Sequence, residues 1–373
     1  MADVVTVFDR RGRPLCELNV SVTRHQKLDH TVDIDRGMFK IPVSDPKATD
    51  VILKRNNFVL VTSNQRGIKA FCALMYFDEN VGLKINSNAE YEVQLRGVET
   101  LLMQRITAPI EKIDIPLTPG QTFIRILDIA QKSGAFLPLS QNRDGINGVG
   151  VPVQHEWNLT ECYGIVTALA TDNDMYWGFN ASRDYNANTG AGTGNLVLTP
   201  YFKPKIGATY TQNIVARTSG GSSTSADSAN LVGGQISEKS INAYANRIVG
   251  YGKMDDWKQN IVYTADNDED QGSFGVIERA ISVTTATNIE SLKPKVEKEL
   301  KLSRNRLYVD GTLINVNAFP QVGDVALVQP DYMGSTMLAR RYGNTLRMRV
   351  KETNYDPQNN TMAVTLEGLF KDE

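Results

Sequence analysis

The densest group of oxygen ligands in the chain is Asp266-Asn267-Asp268-Glu269-Asp270-Gln271-Gly272. Alternating acidic side chains can present hard oxygens to Ca²⁺. An EF-hand loop opening at Asp266 would need its glycine one place before Gly272 and a bidentate glutamate at 277. The chain has Ile277 there, and Glu278 comes one place late. The run therefore reads as an acidic solvent loop, and no metal is assigned. Gly190-Ala191-Gly192-Thr193-Gly194 has the glycine density of a dinucleotide loop, but such a loop must open a helix whose N-terminus holds the phosphate. Strand-like Leu196, Val197 and Leu198 follow instead, so a hairpin tip is expected. His155 beside Glu156 lacks the second histidine of a zinc helix motif, and His25 and His30 bracket Lys27 and Asp29 in a polar turn. No Gly-x-Ser-x-Gly elbow marks a hydrolase nucleophile, and Asp255-Asp256 is unremarkable among 42 acidic residues. No catalytic or cofactor-binding residue is assigned, and no cofactor is implied.

Two further sets point to binding rather than catalysis. Arg340, Arg341, Arg347, Arg349 and Lys351 make the one dense basic stretch. It either faces an acidic neighbour or a channel, or it is an exposed strand face balanced by Glu352 and Asp356. Tyr332, Met333, Met337 and Leu338 lie in the same stretch and offer an apolar contact for a partner subunit. Trp177, Tyr251 and Trp257 are the aromatics that would stack on a sugar if exposed, although a core role is the commoner fate of each.

Composition limits what these residues serve. The 373 residues exceed one ordinary core and suit two or three domains. With 40 basic and 42 acidic residues the net charge is −2, which does not suit wrapping nucleic acid by charge neutralisation. No apolar run reaches bilayer length. Met1 to Pro14 has no apolar core before a small-residue cleavage site, so no signal peptide is expected and folding in a host cytoplasm is. Cys16, Cys72 and Cys162 are few, odd in number and far apart, which implies free thiols.

Most of the positioning elements read as strands. In the first third, Val4–Phe8, Phe39–Val43, Phe58–Val61, Ala70–Phe77 and Tyr91–Leu95 alternate or run apolar between turns. One short helix is expected over Pro46–Lys54, capped by Asp45. In the middle, Phe123, Ile126, Leu127 and Ala130 space a helix over Thr122–Lys132. A second is expected over Trp157–Thr171, with Asn158 and Glu161 as a capping box. Strands follow at 175–179, 196–202, 246–251 and 260–264, and Leu292, Val296 and Leu300 mark a helix capped by Ser291. Arg217–Gly234, rich in Gly, Ser and Thr, reads as a flexible loop. The last third returns to strands at 324–329, 345–352 and 361–366, with a turn at Asp356–Asn360.

Two stretches echo each other. Asn57–Val61, Phe71–Asn80 and Glu90–Val98 line up with Gly323–Val328, Leu346–Asp356 and Thr361–Leu369. Each is a strand, a long strand, an acidic or Asn-rich turn, and a strand that ends in a polar residue and Gly. A duplicated barrel is the sharper reading. The expected fold class is α+β and β-rich: two related small, tube-like β-barrel domains plus mixed α/β intervening domains. The expected boundaries are 1–115 for the first barrel, 116–300 for a mixed region with the loop 217–234, and 301–373 for the second barrel, completed by strands from 175–205.

On these residues the chain resembles the tail hub proteins of phages and phage-like contractile injection systems. The likeness rests on Phe8–Asn19, Gly37–Val43, Asp45–Ala48, Asn56–Val61, Gly97–Arg105, Asn246–Gly252 and the hairpin after Gly323-Asp324. The resemblance implies a non-enzymatic structural hub at the virion tail tip or baseplate. It would be a homotrimeric ring around a channel, joining tail tube or distal tail subunits to a spike or fibre protein, with a tape measure protein as a possible channel occupant. No sequence-specific nucleic-acid contact and no stable membrane insertion go with it. The rival readings are a tail-associated peptidoglycan-degrading enzyme and a receptor- or glycan-binding tail protein.

Overall fold

The computed structural model describes residues 3–28, 35–63, 68–77, 83–108, 111–132, 138–146, 148, 152–184, 192–205, 209–210, 214–216, 230–240, 242–254, 260–268, 271–272, 275–283, 286, 288–314, 316–330 and 345–369. Its strands are β1 (Val4–Phe8), β2 (Pro14–Leu18), β3 (Thr23–Lys27), β4 (Arg36–Pro42), β5 (Phe58–Thr62), β6 (Phe71–Tyr76), β7 (Lys84–Ile85), β8 (Glu90–Gly97), β9 (Glu111–Leu117), β10 (Val153–Trp157), β11 (Met175–Arg183), β12 (Leu196–Pro204), β13 (Ile214–Ala216), β14 (Leu231–Lys239), β15 (Arg247–Met254), β16 (Asn260–Asp266), β17 (Glu278–Ser282), β18 (Arg306–Leu313), β19 (Val325–Pro330), β20 (Leu346–Asp356) and β21 (Thr361–Gly368). Its helices are α1 (Thr100–Met103), α2 (Pro119–Lys132), α3 (Cys162–Asp172) and α4 (Ile289–Ser303). The chain divides into two compact units, Met1–Gly234 with Asp310–Leu366 and Gln235–Val309 with Glu367–Glu373.

Two barrels of β-strands organise the first unit; among the described residues no pairing joins β1 or β2 to β3, so the first is an open barrel. In the first, neighbouring strands follow the order β3-β4-β8-β6-β5-β1, with β2 added beside β1. Val5, Val7, Phe39, Ile41, Val59, Val61, Phe71, Ala73, Met75, Val93 and Leu95 fill its interior, as strand alternation requires. The opposite faces of β5 and β6 are also covered, because Phe58, Leu60, Cys72 and Leu74 pack with Leu196 and Leu198 of β12. Burial on both faces explains why Phe58–Val61 and Phe71–Met75 are uninterrupted apolar runs rather than alternating ones.

The second barrel follows the order β14-β18-β21-β20-β19-β13. Because β19 also pairs with β20, this order closes on itself. Within the first unit the circuit uses Leu231–Gly234, Asp310–Leu313 and Thr361–Leu366 of the three strands that the unit boundary divides. Set side by side, the two neighbour orders coincide position for position, and each barrel also takes its strands from the chain in the same succession. The echo found in the sequence is thus β5-β6-β8 against β19-β20-β21. The last position differs in sense: β1 runs antiparallel to β5, whereas β13 runs parallel to β19.

The β11–β12 hairpin covers the first barrel, and α2 and α3 pack against the hairpin. Thr118 and Gln121 cap α2 reciprocally: the Thr118 N–H donates to Gln121 Oε1 at 2.9 Å and the Gln121 N–H to Thr118 Oγ1 at 3.4 Å, with Pro119 at the first helical position. Phe123, Ile126, Leu127, Val166 and Trp177 meet in one core with Phe202. The second unit has its own core: the sheet β16-β15-β17 packs Ile248 and Ala265 against Leu292, Val296 and Leu300 of α4. A Cβ at Gly250 would lie 2.1 Å from Val296 Cγ2, so glycine is what lets helix and strand approach so closely.

Several sequence expectations are corrected here. The strands at 175–205 do not complete the second barrel; β11 and β12 pair with each other, and β13 and β14 fill that place. Part of the expected flexible loop, Leu231–Gly234, is strand, and 217–229 lies outside the described residues. Pro46–Lys54 forms turns rather than a helix, with Asp45 Oδ1 accepting from the Lys47 N–H at 2.8 Å; Asp before Pro makes a competing local turn. Trp157 ends a strand and α3 starts five residues later. Its cap position is Glu161 without a side-chain bond, so the Asn158 capping box does not form. At α4 the cap is Asn288, with Ser291 as its reciprocal partner.

Candidate functional site: a seam joining two barrels

The edge of the first barrel is continuous with the second through one strand pair. β3 and β20 run antiparallel in the register Arg24↔Tyr355, His25↔Asn354, Gln26↔Thr353 and Lys27↔Glu352. The Leu28 N–H extends the ladder to the Lys351 carbonyl at 2.8 Å. Side chains reinforce it: His25 Nε2 pairs with Glu352, and Lys27 Nζ lies 3.9 Å from the same carboxylate. At the other end Arg24 makes an ion pair with Asp3 at 2.5 Å, with both side chains 2% exposed. Its guanidinium also stands 5.6 Å from the Tyr355 ring centre and donates to the Lys69 carbonyl at 3.4 Å. A buried charge requires such compensation, so this corner is held by an interaction that tolerates no missing member.

Beside the seam lies a polar cleft lined by Arg24, Asp35, Lys69, Glu99, Tyr201 and Lys203 among others. Glu99 and Asp35 are both buried carboxylates. Burial, then the nearby Asp35 charge, pushes the Glu99 carboxyl up to about 8. Burial also raises the Tyr176 and Tyr201 hydroxyls, which hydrogen-bond to each other. Asp324, half-buried, is raised by burial while its own backbone partner Gln321, Lys69 and Lys203 oppose the rise. Lys69 is lowered by burial and by Lys203. Asp35 is fixed by the Lys27 N–H at 3.1 Å.

Of the residues that sequence reasoning singled out, the structure assembles no single site. Arg347 is exposed on β20, and Arg349, two residues along the same face, is buried. Tyr332, Met333, Met337, Leu338, Arg340 and Arg341 lie outside the described residues, as do His30, Trp257, Asp255, Asp256, Glu269 and Asp270. The acidic run is committed elsewhere at its first residue. Asp266 accepts from Arg247 Nε at 2.5 Å and from Gln271 Nε2 at 2.7 Å, and these bonds lower its carboxyl. Trp177 is 1% exposed, wedged among Phe123, Tyr163 and Phe179, and so presents no face to a sugar; Tyr251 is exposed. Cys72 and Cys162 are buried free thiols, and burial pushes Cys162 up to about 11. Sequence reasoning missed Asp35, Glu99 and Arg24. The signal at Glu99 was its isolation, one carboxylate between Val98 and Leu102 where a strand turns into a helix.

No family model matches the chain, and no curated protein is significantly similar to it. Solved structures are similar over its whole length. A prophage tail protein, gp18 from Listeria monocytogenes EGD-e, matches with TM-score 0.59 and 12% identity, covering 100% of this chain and 95% of that one. The 43 kDa tail protein of prophage MuSo2 from Shewanella oneidensis matches with TM-score 0.58 and 10% identity, covering 98% of each chain. A chain of the PdpA–VgrG complex of Francisella matches with TM-score 0.54 and 10% identity, covering 98% of this chain and 57% of that one.

Proposed function

We propose that this chain, which has the fold of the phage tail proteins and a β-rich architecture like theirs, is a non-enzymatic structural subunit of a phage tail tip or a phage-like injection machine. One observation carries the reading: a single chain holds two barrels of the same strand order, bound edge to edge through β3 and β20. A subunit with two like barrels occupies two quasi-equivalent places in a ring. Three copies then offer six barrels to a six-fold tube, while the parts present once per chain remain three-fold and suit a spike or fibre. The seam fixes the offset between the two barrels, so the ring's spacing is set within each chain and not only at its subunit contacts. Tail tube or distal tail subunits are the partners above, a spike or fibre below, and the lumen passes the cargo, with a tape measure protein inside it before release.

In this reading the work is done by interfaces, and Tyr332, Met333, Met337, Leu338, Arg340, Arg341 and Arg347 are proposed as part of one, while Arg349 is buried in the chain's own fold. An obligate ring of this kind buries more than roughly 2,000 Å² per contact. Size measurement by light scattering, alone and with tube subunits, tests the proposal. A trimer, or rings formed on addition of tube protein, supports it; an inert monomer under every condition refutes it.

A further inference from the structure

We infer that a second copy of this chain docks on the free edge of β14 with the end of its own β6, repeating between copies the way β3 meets β20 within one. The contact deepens the proposed ring reading, on which it rests for three-fold closure.

The two barrels match down to single hydrogen bonds. The Met75 N–H donates to the Asn57 carbonyl and the Asn56 N–H to the Met75 carbonyl, both at 2.9 Å. At the corresponding place the Val350 N–H donates to the Asp324 carbonyl and the Gly323 N–H to the Val350 carbonyl, both at 2.8 Å. The preceding turns match as well: the Asn57 N–H reaches the Lys54 carbonyl and the Asp324 N–H the Gln321 carbonyl, both at 3.0 Å. Asn56 and Gly323 each take a positive φ, 64° and 92°, which only a shared turn geometry requires of both. Phe58–Val61 stand opposite Leu74–Phe71 in the same four-step register as Val325–Val328 opposite Arg349–Leu346. β6 is therefore the counterpart of β20, with Met75 at the place of Val350, and by neighbour order β14 is the counterpart of β3.

Each barrel thus has two edges of different kind, and the seam joins one of each. β20 runs on past Arg349, where β19 leaves it, and takes β3 at Glu352–Tyr355. The other two edges are left over. On the side that corresponds to the seam, β14 meets β13 only at Leu231, and among the described residues no strand pairs with Val232–Lys239 there. β5 accompanies β6 only as far as Leu74, and among the described residues no strand follows it beside Tyr76. Open backbone donors and acceptors along a strand edge are a template for pairing with another chain. The leftover edges are the counterparts of the two that already pair, so every copy carries both halves of one head-to-tail contact. Such a contact closes into a ring when its rotation fits.

Disulfide cross-linking of the full chain tests the contact. One tagged copy carries Tyr76→Cys, and a second, differently tagged, carries single cysteines stepped along β14 from Val232 to Lys239. Under mild oxidation a link between copies is expected at one or two positions on one face of β14 and not at the others. Lys27→Cys with Glu352→Cys, opposite each other in the seam, is the control that should link within one chain. Hydrogen exchange of the wild type gives a reading without substitution: β14 amides should slow as the protein is concentrated. Links that are absent, or equal along the whole of β14, while the control forms, overturn the inference, as do β14 amides indifferent to concentration. With both cysteines in one chain, the size of the linked product separates the two ideas. Closed trimers support both, and linked dimers or open chains support the edge contact but overturn the three-copy ring. A trimer by light scattering without the β14–β6 link overturns the edge contact and leaves the ring reading standing.

Discussion

The corner where Asp3 meets Arg24 gives the sharpest expectation about stability. Asp3→Ala removes the carboxylate from a guanidinium that is 2% exposed and leaves it with the Lys69 carbonyl at 3.4 Å and the Tyr355 ring at 5.6 Å. The carbonyl bond is long, and a cation–ring contact supplies on the order of 1–2 kcal/mol, less than a buried charge needs. Orphaning one member of a buried ion pair costs about 3–5 kcal/mol. The loss should barely depend on salt, because the site is out of reach of mobile ions. Replacing both members by apolar residues of similar volume, Asp3→Leu with Arg24→Met, should restore stability to within about 1 kcal/mol of the wild type or better. The assay is urea unfolding followed by tryptophan fluorescence, which reports on the first unit through Trp157 and Trp177. A single variant that costs less than about 1 kcal/mol, or a double variant as unstable as the single one, would refute the reasoning that this corner is a compensated buried pair.

Other expectations concern separate parts of the molecule. Gly250→Ala puts a Cβ 2.1 Å from Val296 Cγ2 and should cost about 1–3 kcal/mol by overpacking; hydrogen exchange should place the loss in the second unit and leave β3 and β20 protected. Asn288→Ala removes a cap that accepts from the Ser291 N–H at 2.8 Å and should cost about 1 kcal/mol, read as faster exchange in the first turn of α4. Phe202→Ala deletes a ring 5.4 Å from Phe123 and 0% exposed, so a loss of about 3–5 kcal/mol is expected, with a changed Trp177 emission in the folded state.

Much of the strand content was legible because burial writes a period into a strand. β8 alternates Val93 and Leu95 with Glu92 and Gln94, and the second member of the echo turns at the polar run Asp356–Asn360. Pairing was less legible. Nothing local in Ile214–Ala216 or Leu231–Lys239 says that these strands close the second barrel, since besides each other they pair with β19 and β18, far along the chain, and β14 carries Gly233 and Gly234. The helix expected over Pro46–Lys54 failed because Asp45 bonds the backbone locally and Asn57 binds the Val51 and Ile52 carbonyls, at 2.9 and 3.0 Å, turning the chain instead. The seam was hidden for a different reason. Arg24 and His25 look like solvated charges, and only the apposition of β20 shows that one is buried and the other paired. The same holds for Glu99 and Asp35, whose proximity comes from the strand order and not from their spacing in the chain.

The central claim is that two like barrels in one chain let three subunits match a six-fold tube. Electron cryo-microscopy of the protein assembled with its tube subunits tests it most directly. Six barrel densities around one lumen, alternating between the β5-β6-β8 and β19-β20-β21 copies with every neighbour within a chain joined through β3 and β20, is the expected result. A lone chain without a lumen, or a ring in which only one of the two barrels faces the axis, would contradict it.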